Sequence, residues 1–439
     1  MALDTLANIG KIPELRRRLL FTLGMVAVYR VGVFVTAPGV NRSVIRNTVG
    51  GSDNSLLGML NLFSGGALEQ MSIFALGIMP YVSASIIIQL LTSIFKPLEE
   101  LRKEGDVGQR KLNQYTRYGS VLIGVVQGTA IAFFLESQKD GDGVLAVSAP
   151  GWSFRLMTVL TLTTGTAFIM WIGEQITERG IGNGISLLIF AGIVADFPAA
   201  LAQTVTFARS GQLQPTSMLL AAVLILAAVG VIVFFERGQR RIPIEYSRRI
   251  VGRKMYGGQR THLPLRVNSA GVIPPIFAST VLLLPNTLVG LGIPGADRLR
   301  DLLQRGDWVY NTTFVILTVF FCYFYTAITF PPVDVAENLK KQGAYIPNIR
   351  PGKPTAEFIE KVLTRITFGG ALYIAIVCVL PDVLRQYLKL PFPFGGTSIM
   401  IVVGVALDTV SQIESHLITH HYEGFAGAGG PRIRGRRTA

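Results

Sequence analysis

Cysteine is nearly missing from this chain. The two that are present, Cys322 and Cys378, both fall inside apolar runs. A free thiol there behaves as a small hydrophobe, which excludes a disulfide framework. Histidine is also scarce, at four residues. His416, His420 and His421 gather near the C-terminus, and the first two are spaced like ligands on one helix face. No Glu or Cys completes that set, so no metal site is expected. Gly180, Gly182 and Gly184 in ERGIGNGIS faintly resemble a phosphate loop, but the Lys and the preceding strand are lacking, so they read as a tight turn. With no catalytic grouping elsewhere, neither an enzyme nor a cofactor is expected. Charge is thin, at 15% of residues, and acids are outnumbered 27 to 41 by Lys and Arg.

What fills the chain instead is apolar length. Half of its 439 residues are hydrophobic, and the mean hydropathy of +0.45 is that of a polytopic membrane protein. A net charge of +14 would suggest nucleic acid binding in a soluble protein; in a bilayer, the gathering of Lys and Arg in cytoplasmic loops is the first explanation. Apolar runs of about 17–25 residues recur near 19–37, 71–95, 116–136, 152–173, 184–205, 216–236, 269–291, 309–330, 365–384 and 396–418. They predict an all-α membrane protein of about ten transmembrane helices. The first run follows Lys11 and Arg16 to Arg18, is too long for a signal peptide and lacks a small-residue cleavage site, so it reads as a retained span. A cytoplasmic N-terminus puts about 30 of the 41 Lys and Arg on the cytoplasmic side and about 10 outside, and makes the C-terminus cytoplasmic too.

An even division gives an N-terminal half at 1–205, a C-terminal half at 206–422 and a Gly-rich tail at 423–439 that reads as disordered. Because each half holds an odd number of spans, the two enter the membrane from opposite sides, and an inverted repeat of pseudo-symmetric five-helix halves becomes possible. The second span of each half carries proline: Pro80 in one, Pro274 and Pro275 in the other. Matching interrupted spans point to a pathway between the halves. Ile78 and Val82 stand four apart at the first break and Ile276 follows the second, side chains that could seal a pore by dewetting. Of ionisable groups, Arg30 and Asp408 are the ones read as lying within spans. A channel for a bulky polymer and a secondary transporter of small solutes both remain open, with the scarcity of midplane acids weighing against the transporter. Basic loops at about 236–268 and about 331–365 alternate Arg with Ile, Tyr and Val. Hairpin-like structure that docks a large acidic partner by charge is expected there.

Longer motifs go further: GIMPYVSASIIIQLL in span two, WIGEQITERGIGNGIS between spans four and five, THLPLRVN before span seven and PFPFGGTSIMIVV at span ten. From about Leu15 to Tyr422 the chain resembles the SecY family, the central subunits of bacterial protein-conducting channels. The resemblance implies two halves forming a clamshell around an hourglass pore in the cytoplasmic (inner) membrane. Unfolded polypeptides would pass across, and hydrophobic segments would leave sideways into lipid. Its pore ring falls on Ile78, Val82, Ile189, Ile276 and Ile401. Its plug helix falls at about 55–64, on Ser55, Leu56, Leu57, Met59, Leu60, Leu62, Phe63 and Ser64, ended by Gly65-Gly66. Its lateral gate lies between spans two and seven, from Ser83 onward, with a polar cluster on Thr92, Gln127 and Asn268. Docking falls on Arg253, Lys254 and Arg350. The partners implied are the small subunits SecE and SecG, the motor ATPase SecA, the ribosome through its RNA, signal peptides and nascent chains, and membrane lipid.

Overall fold

Prolines and short extended segments decide where the helices of this chain begin. A computed structural model describes residues 12–45, 61, 63–138, 145–210, 215–246, 249–251, 254–256, 260–290, 293, 295–303, 307–388 and 395–426. Helix α1 (Pro13–Val33) starts on a proline, whose missing N–H costs nothing at the first helical position. The chain then runs extended. Thr36 pairs with Ser72 and Val40 with Val147 in isolated β-bridges. Helix α2 (Met79–Ile94) is followed by the short α3 (Lys96–Lys103), bent 98° from it. Next come α4 (Asp106–Ser137), α5 (Trp152–Arg179), α6 (Gly184–Arg209) and α7 (Pro215–Arg237). The second part holds α8 (Ile273–Gly290), α9 (Ala296–Leu302), α10 (Trp308–Thr329), α11 (Pro332–Lys341), α12 (Lys353–Leu388) and α13 (Gly396–Ala426).

Each apolar run expected to cross the membrane carries a helix. Among the described residues, however, 6 helices are long and apolar enough to do so, or up to 7 if the bent α2–α3 pair counts as one span. The runs that fall short include those of α1, charged at both ends, and α8, whose apolar stretch is short. The second expected span also starts later than its hydropathy suggests. Residues 65–78 form turns rather than helix, and Pro80 stands in the first turn of α2 instead of its middle. Pro274 and Pro275 likewise open α8. Pro80 and the Pro274–Pro275 pair therefore act as helix starts rather than kinks, because the first turn has no N–H bond for the ring to break.

Helices α1, α2, α4, α5 and α6 pack among themselves, as do α7, α8, α10, α12 and α13. The groups meet along α6 with α13 and along α8 with α2 and α4. Expected hairpin structure in the first basic loop is present. Strand β1 (Gln239–Tyr246) pairs antiparallel with β4 (Arg260–Arg266), and β2 (Arg249–Val251) pairs with β3 (Lys254–Tyr256) between them. Beyond that expectation, the second basic loop joins the first. Its β5 (Ala344–Tyr345) pairs with the end of β1 through Glu245 and Tyr246. Pro243 stands opposite His262 of β4 and before the pairing with β5, which begins at Glu245. Ile242, Ile244 and Leu265 pack with Leu339 of α11, Ile346, and Ile359 and Val362 of α12 in one apolar cluster.

The two loops are thus one body with a core of its own, joined to the long helices through α12. Replacing Ile359, which is 0% exposed, by Ala should cost this body about 2–4 kcal/mol. Limited proteolysis should then cut within 239–266 and 332–352 sooner than in the parent while the apolar helices stay protected.

Candidate pore and gate

All five side chains expected in the pore ring are buried. Exposure is 3% for Ile78, 5% for Val82, 1% for Ile189, 5% for Ile276 and 0% for Ile401. They come from α2, α6, α8 and α13, so both helix groups contribute, and they belong to one apolar cluster. Ile78 is the residue before α2, and its carbonyl accepts the Val82 N–H at 3.1 Å. The pair therefore sits on the opening turn of the proline-started helix, as Ile276 does on α8. Ile86, Ile193 and Val405, each one turn beyond a ring residue on its own helix, join the same cluster. These were legible as continuations of the i, i+4 spacing.

Before this start the chain is irregular, yet much of its polar backbone is paired. The Ala37 N–H donates to Met71 O at 2.8 Å, Ile73 N–H to Val35 O at 2.9 Å and Gly77 N–H to Phe74 O at 2.7 Å. Irregular backbone among apolar helices is tolerated only when satisfied inside the protein. Gly65 (φ +65°), Gly66 (φ +79°) and Gly77 (φ +56°) supply the left-handed turns. Phe74 fills a slot between α1 and α5. A Cβ on Gly32 would meet its ring at 2.0 Å, and one on Gly165 would meet Ile73 O at 1.9 Å.

Of the residues assigned to the plug, Ser55, Leu56, Leu57, Met59, Leu60 and Leu62 lie outside the described residues. Phe63 and Ser64 are buried helical residues, and the helix ends at Gly65. Two residues of α1 hold that end. The Tyr29 hydroxyl donates to Ser64 O at 3.0 Å, and Arg30 Nη1 donates to Gly65 O at 3.0 Å. Gly65 lies so close to Gly192 of α6 that a Cβ on it would come within 2.6 Å of Gly192 Cα. Asp196, one turn further along α6, was passed over in the reading of the sequence, although an acid inside the run at 184–205 is a plain signal. Its charge is acted on by Arg30 and Glu69. Arg30 thus has a backbone and an electrostatic role at this helix end. Asp408 is different: it is 60% exposed, with Arg266 Nη1 at 3.8 Å.

The residues assigned to the gate do not form one hydrogen-bonded cluster. Ser83 is buried with a hydroxyl that has no hydrogen-bond partner among the described residues, and Thr92 Oγ1 donates to Gln89 O of its own helix at 2.7 Å. Gln127 is half-buried on α4. Asn268, in the link from β4 to α8, is turned elsewhere. Its Nδ2 donates to Glu236 Oε1 at 2.6 Å and to Gly271 O at 3.0 Å, and the Tyr373 hydroxyl donates to the same Glu236 oxygen at 3.0 Å. Tyr373 also stacks on Phe235 with ring centroids 4.4 Å apart. Glu236 and Tyr373 were not anticipated. An acid at the end of an apolar run was the available sign for Glu236, while nothing local marks Tyr373.

In the docking set, Arg350 is exposed on a turn anchored by buried Ile346, and its carbonyl accepts from Thr355 Oγ1 at 2.9 Å. Arg253 lies outside the described residues, and Lys254 begins β3. Among the described residues, no group of three or more His, Cys, Asp and Glu could hold a metal ion.

Helices from two groups converging on one apolar cluster, with irregular backbone buried beside it, define a polytopic helical membrane protein of channel type. The chain belongs to the SecY family, whose model matches residues 72–410. It is 48% identical to the protein translocase subunit SecY of Escherichia coli K12 over 426 residues, 96% of each chain. To the subunit of the same name from Aquifex aeolicus it is 45% identical, covering 96% of this chain and 99% of that one. Among solved structures, a protein-conducting channel superposes with a TM-score of 0.65 at 17% identity, over 96% of this chain and 99% of the other. Sec61 in a canine ribosome-channel complex from the endoplasmic reticulum does so with a TM-score of 0.61 at 15% identity, over the same shares. These two likenesses establish the fold. Family membership sets aside the solute-transporter alternative.

Inserting a methyl group beside the irregular segment tests how far the slot depends on glycine. Gly165→Ala should lower stability by about 1–3 kcal/mol by displacing the Ile73 carbonyl. Gly24→Ala on α1, where a Cβ would meet nothing within 4 Å, should leave the thermal unfolding midpoint unchanged or slightly raised.

Proposed function

We propose that this chain is the channel subunit of a protein translocase, passing unfolded polypeptide across the cytoplasmic membrane and releasing hydrophobic segments sideways into lipid. The observation that carries the reading is the convergence of Ile78, Val82, Ile189, Ile276 and Ile401, from both helix groups, on one buried cluster. A ring of branched apolar side chains excludes ions and water by dewetting, yet parts for a polymer because no bond has to be broken. The segment ending at Ser64, held by Tyr29 and Arg30, is the plug. Residues 1–205 and 206–422 are the two halves, with both termini in the cytoplasm, and the faces of α2 and α8 are the gate. Ser83, Thr92 and Gln127 supply polar groups along it.

The basic body is the docking surface. Arg240 and Arg241 are exposed on β1 and Arg350 is exposed on its turn, while Arg253 and Lys254 belong to the same loop. Ribosomal RNA and the motor SecA are its partners, and SecE and SecG complete the complex. Support comes from relatives named as translocase subunits and from fold neighbours in ribosome complexes, the canine Sec61 and a yeast Ssh1 complex on the 80S ribosome. Positive side chains on a rigid body recognise phosphate by charge, so salt should weaken the contact.

Replacing the five ring residues with glycine should raise ion flux through vesicles that carry the assembled channel; flux equal to the parent's would remove these residues from the seal. Arg350→Glu should reduce partner-driven export by about tenfold or more, since like charge is placed against an oriented anionic or acidic surface. Its folding should be unaffected, and export at the parent's rate would refute the docking role.

A further inference from the structure

The sequence ends α10 in Ile328-Thr329-Phe330-Pro331-Pro332. A helical carbonyl looks for the N–H four residues ahead, which for Ala327 and Ile328 means Pro331 and Pro332, and proline has none. The chain therefore cannot satisfy these carbonyls by continuing. Arg102, at the end of α3, does so for one of them: its Nη2 donates to the Ile328 carbonyl. A guanidinium at a helix C-terminus also meets the negative end of the helix dipole. The neighbouring Lys103 pairs first with Glu99 of its own helix at 2.7 Å, and it also feels the charge of Asp334 in the first turn of α11.

The contact joins parts that otherwise belong to different groups. Helix α3 is fixed to α4. The link between them turns at Gly105 (φ +72°), and a Cβ on Gly108 would meet Leu101 O at 1.6 Å. Helices α10 and α11 pack with α8 and α12 and, through β5, with the basic body. The break that aims α3 across the seam is local in origin. Phe95 is extended (φ −102°, ψ 109°), and Pro97 in the first turn of α3 has no N–H to continue the bonding of α2, so the helix restarts at 98° to α2.

We propose that Arg102 is a gate-positioning residue: by capping the proline-orphaned end of α10 it clasps the two helix groups together beside the basic body, and the seam between α2 and α8 opens when that bond is released. The proposal deepens the gate reading given above and rests on it. Because α11 belongs to the docking body, a partner that shifts α11 would loosen the clasp and so couple docking to opening.

The test uses the full chain in its assembled membrane complex, with spin labels at the exposed positions Glu100 and Glu337 and with Arg102→Ala and Arg102→Lys compared. In Arg102→Ala the distance distribution should lengthen and broaden, and export of a precursor with a defective signal sequence should rise about tenfold, as expected for a lost charge-assisted bond. Export of the intact precursor should stay within about twofold. Arg102→Lys, which keeps a charged donor, should lie near the parent on both readouts. An unchanged distance distribution in Arg102→Ala would overturn the clasp, and a changed one without relaxed signal selection would overturn its role at the gate. If the parent chain failed to export the intact precursor, the translocation reading would fall, and the distances would still decide the clasp.

Discussion

Residues 65–78 carry the constraint on which the rest of this structure depends: a stretch of irregular backbone, enclosed by apolar helices, has to find every hydrogen-bond partner within the protein. Pairing of Ala37 and Val35 with Met71 and Ile73 meets part of that demand. Tyr29 and Arg30 meet another part at Ser64 and Gly65. Close approach is bought with glycine, at Gly32 and Gly165 around Phe74 and at Gly192 against Gly65. Because this segment takes up the apolar length before Met79, α2 starts late, on Pro80, and its opening turn delivers Ile78 and Val82 into the cluster. The same device opens α8 at Pro274 and Pro275 and delivers Ile276.

The two helix groups meet at seams of a particular kind. Along α6 and α13 the contact is reinforced where Gly182 N–H donates to Gln412 Oε1 at 2.9 Å. Along α2 and α8 the facing side chains are mainly branched and apolar, with hydroxyls such as Ser279 and Thr280 turned back onto the Ile276 carbonyl of their own helix. Apolar contact is non-directional, so these facing side chains can part and close again without exchanging specific bonds of their own. The polar knot of Glu236, Asn268 and Tyr373 lies instead within the second group, where it ties the end of α7 and the link into α8 to α12. It fixes how the basic body is mounted on the helix that lines the seam.

Much of this was legible because a bilayer leaves a strong imprint on a sequence. The apolar runs gave the helices, the prolines gave the special character of α2 and α8, and the alternation of Arg with Ile around Ile242 and Ile244 gave the β1–β4 hairpin. Reading Pro80 as a break in mid-helix failed. Hydropathy reports burial, and residues 71–78 are, apart from half-buried Ile73, buried without being helical. Asp196 was overlooked in an otherwise apolar run, and Tyr373 could not be found, since its partner Glu236 is 137 positions away.

From the sequence by itself came the all-helical membrane class, the family resemblance and the ring candidates, because length, apolar periodicity and long motifs are local properties of the chain. Tertiary structure alone decided that the two basic loops are one body through β1 and β5, that Asn268 serves Glu236 rather than Thr92 and Gln127, and that Arg102 answers the carbonyl left open before Pro332. Each of these is a pairing between groups far apart in sequence, and a donor's partner is set by where the packed helices bring it, which no local pattern encodes.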